Sequence, residues 1–452
     1  MTLPKTTAVP ALGGHRVRRL KLAVFSSLAS KASTIGLQLV AFPIAIRAVT
    51  PSQFATYSVL AGVLSFVWLC DLGLGPALTQ RIAIANAEED RPAQERILAS
   101  GFVAILIILV AVWGFGLAAA RLGTLTPWLE ARGILPSLIL IVAAIGSVQF
   151  LSSPFLRAQA GYQELHIYNL FGVAGNAVAA VALIAVARVA PSPLGFLVAV
   201  YGTAALTQLA AAAAFLWRRR PLLHGLLRPH MSLVTPLFAD GVRFAFPQVI
   251  VPVILREGPK FMLFRQGLPI ETAKYGILIQ LMTLASGLIV MFTQPLFPAL
   301  TDAQARGDHA WIEGTYRRAS AGVGAFCCLF IGATFVLGPS ALSLYTGNKF
   351  TFGRGSLLAF GLCSALIFWN HLGLVFFQAS GRLGLFFTLS ALELVLLGGL
   401  YLWRQPVDAM TGFAYVAAAL APTAMLWSLL SLRRRPAALG CAATEPVAGA
   451  AS

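Results

Sequence analysis

The sequence predicts an all-α polytopic membrane protein with about twelve transmembrane helices in two parallel-repeat six-helix lobes. Three observations predict it. Apolar runs of about 20 or more residues recur from Leu22 to Leu432, each long enough to cross a hydrocarbon core of roughly 30 Å as a helix. Only 11% of the 452 residues are charged and 58% are hydrophobic, with a mean hydropathy of +0.80, whereas soluble domains carry roughly 25% charged residues. Finally, Pro76-Ala77-Leu78-Thr79-Gln80 is echoed half a chain later by Pro298-Ala299-Leu300-Thr301-Asp302. Each tract lies about one span beyond a tyrosine, Tyr57 or Tyr275, and each is followed by a charged, Arg-containing loop and a new apolar run. Repetition on this scale is a plan of secondary transporters. Strands are excluded because a transmembrane barrel needs short alternating segments.

The spans are expected near 22–48, 54–80, 97–120, 134–156, 165–187, 194–217, 238–264, 273–299, 319–345, 355–379, 383–403 and 410–432. The first run is too long for the apolar core of a signal peptide and is interrupted by Lys31, so it reads as a retained helix. Six spans separate Pro76 from Pro298, which puts both tracts at cytoplasmic ends and makes the halves parallel repeats about an axis along the membrane normal. The expected organisation is a basic cytoplasmic N-terminus at 1–21, an N-terminal lobe at 22–217, a cytoplasmic linker at 218–237, a C-terminal lobe at 238–432 and a cytoplasmic, disordered tail at 433–452. The linker is the longest polar interruption, with Arg218, Arg219, Arg220, Arg228 and three prolines. No loop is long enough for a folded extramembrane domain.

The formal net charge of +17 does not indicate a nucleic-acid binder. It resolves into juxtamembrane clusters at Arg16–Lys21, Arg218–Arg220 and Arg433–Arg435, which set topology and meet anionic headgroups. With the N-terminus in the cytoplasm, inside segments carry about 20 Lys/Arg and outside segments about 9. Both termini are therefore expected in the cytoplasm. The five cysteines show no metal-ligand spacing and the six histidines are scattered. No P-loop, His-Glu-x-x-His or Gly-x-Ser-x-Gly occurs, so neither cofactor nor metal is expected and a transporter is favoured over an enzyme.

A charge inside a spanning helix costs about 2.5–3.5 kcal/mol even on lenient scales, so each one needs a reason. Lys31 lies near the middle of the first span, and Ser27, Lys31, Thr34 and Gln38 share one helical face. That stripe reads as a substrate-facing surface; the competing reading is a Lys31–Asp71 pair tying two helices together. The seventh span holds Asp240, Arg243, Arg256, Glu257 and Lys260, interrupted by Pro247, Pro252 and Pro259. Arg256 is expected in a cavity, Lys260 there or snorkelling to the outer boundary, and Glu257 neutralising either neighbour. Glu393, near the centre of the eleventh span, is either hydrogen-bonded and neutral or part of an ion or proton relay. Asn169, Asn176, Gln280, Thr283 and Gln294 are assigned to helix-to-helix hydrogen bonds.

Further residues carry a resemblance: Ala48-Val49-Thr50-Pro51-Ser52-Gln53-Phe54-Ala55-Thr56-Tyr57, Asp71-Leu72-Gly73-Leu74-Gly75, Ala87-Glu88-Glu89-Asp90, Ala273-Lys274-Tyr275-Gly276, Ala305-Arg306-Gly307-Asp308 and Gln378-Ala379-Ser380-Gly381-Arg382. From about Lys21 to Leu432 the chain resembles the multidrug/oligosaccharidyl-lipid/polysaccharide exporter superfamily, and more narrowly its Wzx-type polysaccharide flippases. It departs at Phe54-Ala55-Thr56-Tyr57, where a glycine before the tyrosine is more usual. The resemblance implies a bacterial inner-membrane translocase moving undecaprenyl-diphosphate-linked oligosaccharide to the periplasmic leaflet by alternating access of two lobes around a cationic cavity. On that view Lys31, Thr34, Gln38, Arg256 and Lys260 meet the substrate, and Glu393, Asp71 and Glu257 are candidates for ion or proton coupling. Expected partners are the lipid-linked oligosaccharide, membrane lipids and polysaccharide polymerase or assembly proteins. The alternative is a cation-coupled multidrug antiporter on the same fold, for which those acids would be the working residues.

Overall fold

A computed structural model of the chain describes residues 13–69, 73–121, 136–162, 164–222, 229–293, 296–305, 307–379 and 383–433. These residues are overwhelmingly helical and include no strand. The helices are α1 (Gly13–Ala48), α2 (Pro51–Leu69), α3 (Leu74–Ala87), α4 (Arg91–Arg121), α5 (Pro136–Gly161), α6 (Leu165–Val189) and α7 (Pro193–Arg218). They continue with α8 (Met231–Ala245 and Val251–Arg265), α9 (Pro269–Thr293), α10 (Leu296–Ala305), α11 (His309–Val336), α12 (Gly338–Thr346), α13 (Arg354–Ala379), α14 (Leu383–Trp403) and α15 (Ala409–Arg433). Ten described helices are long and apolar enough to cross a membrane: α1, α4 to α7, α9, α11 and α13 to α15. This is a multi-pass membrane protein.

The remaining two of the twelve expected spans, the second and seventh, are present as broken helices. The second, expected as one run over 54–80, is α2 followed by α3, with Gly73 in the left-handed region (φ 73°) ahead of α3. Gly73 also lets its backbone approach the Gly241 carbonyl so closely that a Cβ would collide with it. The Pro-Ala-Leu-Thr tract therefore opens the short helix α3 rather than closing a long span. Its counterpart likewise falls at the start of a short helix, α10. The seventh span starts earlier than expected: α8 is helical from Met231, which removes 231–237 from the proposed linker. A π turn at Phe246–Ile250, beginning beside Pro247, divides it.

Helix ends follow local chemistry. Thr50 and Gln53 form a reciprocal capping box at α2: Thr50 N donates to Gln53 Oε1 (3.0 Å) and Gln53 N to Thr50 Oγ1 (3.3 Å). Asp90 caps α4 through Ala93 N at 2.9 Å, and Asp308 caps α11 through Trp311 N at 3.0 Å. The ninth span, expected over 319–345, consequently runs over His309–Val336. It stops where Gly338-Pro339 begins α12, because proline cannot continue the preceding ladder.

The chain packs as two compact units, Met1–Val49 with Phe66–Val242 and Thr50–Ser65 with Arg243–Ser452. Neither is continuous in sequence, since α2 and α8 each divide their residues between the units. In the first, α3 packs on α5: Leu78 and Ile82 are buried, Thr79 Oγ1 donates to Arg157 O at 3.2 Å, and Gly161 leaves no room for a Cβ beside Ile82. The repeated tract is thus a packing element. The α7 π turn at Val198–Gly202 displaces carbonyls from the helical ladder, and Gln149 Nε2 donates to one of them, Tyr201 O, at 3.2 Å. In the second unit an aromatic core links α9, α11, α13 and α15, with Tyr275 stacked on Phe413 at 4.2 Å. Both repeat tyrosines, Tyr57 and Tyr275, are buried in this unit.

Candidate functional site

The polar stripe on α1 is largely a helix-packing device. Asn169 Nδ2 donates to Ser26 Oγ and Ser27 Oγ, both at 3.0 Å, and Asn176 Nδ2 donates to Ser33 Oγ and Thr34 Oγ1, both at 2.9 Å. The two asparagines lie seven residues, two turns, apart on α6, so they meet serine and threonine pairs separated by the same distance on α1. Gly172, midway between them, admits Ser30 Oγ at 3.1 Å from where a Cβ would stand. Lys31 projects beside this ladder and is exposed, with Gln38 half-buried further along. Thr34 Oγ1 also donates to Ser30 O at 2.9 Å.

On α8, Arg256, Glu257 and Lys260 form a compact charged cluster in the second unit. Arg256 Nε donates to Glu257 Oε1 at 3.2 Å, and Lys260 Nζ is ion-paired with Glu257 Oε2. The Glu257 and Lys260 side chains are 4% and 5% exposed, and that of Arg256 28%. Lys260 does not snorkel: its ammonium ends in the protein, one helical turn from its carboxylate. The cluster carries two cations and one anion, so one positive charge is left uncompensated within it, and Arg256 is its accessible member. Gly62 of α2 makes the arrangement possible, since a Cβ there would lie 2.7 Å from Lys260 Nζ and 2.8 Å from Glu257 Oε2. Ser58, one turn earlier, presses on Gly276 of α9.

Glu393 on α14 is buried, and its Oε1 accepts from Asn370 Nδ2 of α13 at 3.3 Å. One residue on, His371 Nε2 lies 2.9 Å from Thr293 Oγ1 of α9. Asp71 and Gln294 fall outside the described residues, as do the side chains of Asp240 and Arg243. Among the expected site residues, the structure brings Arg256, Glu257 and Lys260 together. Sequence reasoning missed Gly62, Ser58 and Asn370, which shape the surroundings of these charges. Ser58 and Gly276 had a signal, each as the residue after a repeat tyrosine.

The basic cluster at the end of α7 makes contacts within the protein. Arg218 and Arg219 both bind Glu164, at 2.8 Å each, and the Arg219 guanidinium lies 3.7 Å over the Tyr162 ring. Arg220 stacks on Trp217 at 4.4 Å.

The sequence profile of the polysaccharide biosynthesis protein family matches residues 21–304. The chain belongs to that family. Among curated proteins none matches the sequence. Solved structures show where this family member stands in fold space. An inward-facing multidrug resistance MATE family transporter of the MOP superfamily superposes with a TM-score of 0.64 at 14% identity, covering 91% of this chain and 96% of that one. The outward-facing conformation of a MATE family transporter gives 0.64 at 16% identity, with 94% and 97% covered. A MOP superfamily transporter from Pyrococcus furiosus, described as having a binding pocket of reverse polarity, gives 0.55 at 14% identity, with 93% and 96% covered. This polysaccharide biosynthesis family member therefore has the fold of MOP superfamily transporters.

Proposed function

We propose that this protein is a transporter that moves undecaprenyl-diphosphate-linked oligosaccharide from the cytoplasmic to the periplasmic leaflet of a bacterial inner membrane, by alternating access, for surface polysaccharide assembly. Both termini face the cytoplasm on this reading. The family membership and the fold support it at the level of class. The observation that carries the substrate is the Arg256–Glu257–Lys260 cluster: a buried group with a surplus cation, kept inside a spanning helix at a cost that structure alone does not require. A diphosphate must be held without being trapped. Arginine offers it a bidentate fork, and Glu257 tempers that cation in a low-dielectric setting where a bare pair would bind too tightly. Lys31 is the corresponding cation of the first unit, with Thr34 and Gln38 alongside it for polar contact.

The test is the leaflet distribution of the lipid-linked oligosaccharide. Deletion should make it accumulate on the cytoplasmic side, and neither Lys31→Ala nor Arg256→Ala should restore export. Intact transport in both variants would remove the cation assignment.

Glu393, buried beside Asn370, favours a second reading as a cation-coupled antiporter for which this acid is the working group. Sensitivity to cationic dyes with normal surface polysaccharide would select it. In the translocase reading the same acid, with Glu257 and Asp71, is a candidate for ion or proton coupling, and polymerase and assembly proteins are the expected neighbours in the membrane.

A further inference from the structure

A second group of basic residues lies within the first unit, on α3 and α4. The end of α3, the first turns of α4 and the start of α8 border an open cleft of about 480 Å³, within the roughly 300–1,000 Å³ typical of small-ligand sites. Arg81, Arg96, His230 and Ser232 line it, and Glu88 is the one acid among its lining residues. Asp90 is nearby in sequence but is engaged as the α4 cap.

The walls of the cleft are fixed. Ser100 of α4 is fully buried and bonds His230 twice: its Oγ donates to His230 O and accepts from His230 N, both at 3.1 Å. His230 is thereby held as the residue preceding α8, and Leu233 N bonds its carbonyl at 2.9 Å. Gln94, also buried, ties the start of α4 to the end of α3 through Ala85 O at 3.1 Å and accepts from the Tyr162 hydroxyl at 2.8 Å. Arg81, Arg96, His230 and Ser232 therefore border one cleft at the positive end of α8, where Arg96 Nε is held by Pro92 O at 3.2 Å. Such a donor set fits a compact multivalent oxyanion, and arginine forks match phosphate oxygens bidentately.

We infer that this cleft binds a phosphate or diphosphate group presented from the cytoplasmic side. The cytoplasmic placement and the lipid-linked identity of such a ligand rest on the reading under Proposed function; the phosphate chemistry does not. The group has two possible sources, a lipid headgroup or a soluble phosphate compound.

The experiment uses the full-length protein in phosphatidylcholine nanodiscs. Inorganic pyrophosphate is titrated calorimetrically, and native mass spectrometry scores retention of farnesyl diphosphate and of phosphatidylglycerol. Arg81→Gln with Arg96→Gln should weaken pyrophosphate binding at least about tenfold, the loss of one or two charge-assisted hydrogen bonds. Glu88→Gln, at an exposed position, should tighten it. Arg121→Gln, outside the cleft, should leave it unchanged. A loss shared by pyrophosphate and farnesyl diphosphate supports a diphosphate ligand, and a loss confined to phosphatidylglycerol supports a bulk-lipid headgroup. Unchanged binding of all three probes in the double variant overturns the assignment. If the double variant does not fold, Glu88→Gln decides alone, and failure to tighten overturns it. No transport is measured, so failure of the leaflet assay and failure of this site are separate results.

Discussion

Ser58 rests directly on the backbone of Gly276, closer than any Cβ at that position would allow. The two residues follow the repeat tyrosines Tyr57 and Tyr275, so corresponding positions of the two halves meet inside one compact unit. Gly276→Ala must push α2 from α9 or force Ser58 out of its rotamer. Overpacking of this kind costs about 1–3 kcal/mol, and the variant should melt earlier than the wild type in a thermal shift assay. Gly287→Ala, on the same helix with open space around it, is the control and should not lower the melting temperature.

Glu257 is ion-paired with two cations at once. Glu257→Ala leaves Lys260 buried without its carboxylate, a change that costs about 3–5 kcal/mol for buried pairs. Adding Lys260→Met should recover a large part of that loss, because the orphaned charge is removed while its apolar stem is replaced. Recovery of stability without recovery of transport would separate the packing role of the cluster from its chemistry. Denaturation midpoints of the two variants measure the first, and the leaflet assay the second.

The α1 ladder makes the opposite separation. Asn176→Ala removes two hydrogen bonds between α1 and α6, each worth about 0.6 kcal/mol on average between membrane helices. It should lower stability by about 1 kcal/mol and leave transport near normal. Lys31→Ala touches neither of these bonds and should reduce export.

How much of this was legible depended on the signal each feature leaves. Spans such as 165–187, 355–379 and 383–403 were readable because continuous apolar length is a direct consequence of the hydrocarbon core. The assignment of Asn169 and Asn176 to helix contacts was readable from polar residues two turns apart. The break at Gly73 was hidden because Leu72, Leu74 and the flanking residues keep hydropathy high across it, and hydropathy does not register φ. Asp308 as a helix start was local chemistry that a hydropathy window averages away. The cradle around Lys260 was beyond reach, since Gly62 lies nearly 200 residues away in sequence and has no periodicity of its own. The cleft at His230 was similarly hidden, because its two arginines come from α3 and α4 and His230 from the segment that precedes α8.

Gly73 also makes a prediction of its own. Its φ of 73° is strained for any side chain, and a Cβ there would strike the Gly241 carbonyl, a backbone group that cannot rotate aside. Gly73→Ala should be among the most damaging single-methyl substitutions in the first unit, with yield of folded protein as the readout. Gly36→Ala, with nothing near its Cβ, should be neutral.

Glu393 sets the test of coupling. A glutamine at 393 can still accept from Asn370 Nδ2, so Glu393→Gln should keep the melting temperature close to that of the wild type while removing the one group in the pair that can gain or lose a proton or hold a cation. Export in vesicles with an imposed proton or sodium gradient should then become indifferent to the gradient. Asn370→Ala acts differently, because it leaves the acid in place but strips its partner. It should lower stability by roughly 1 kcal/mol and keep the gradient response. If Glu393→Gln preserves the gradient response as well, the acid is a hydrogen-bonding member of the core and the coupling group must be sought elsewhere.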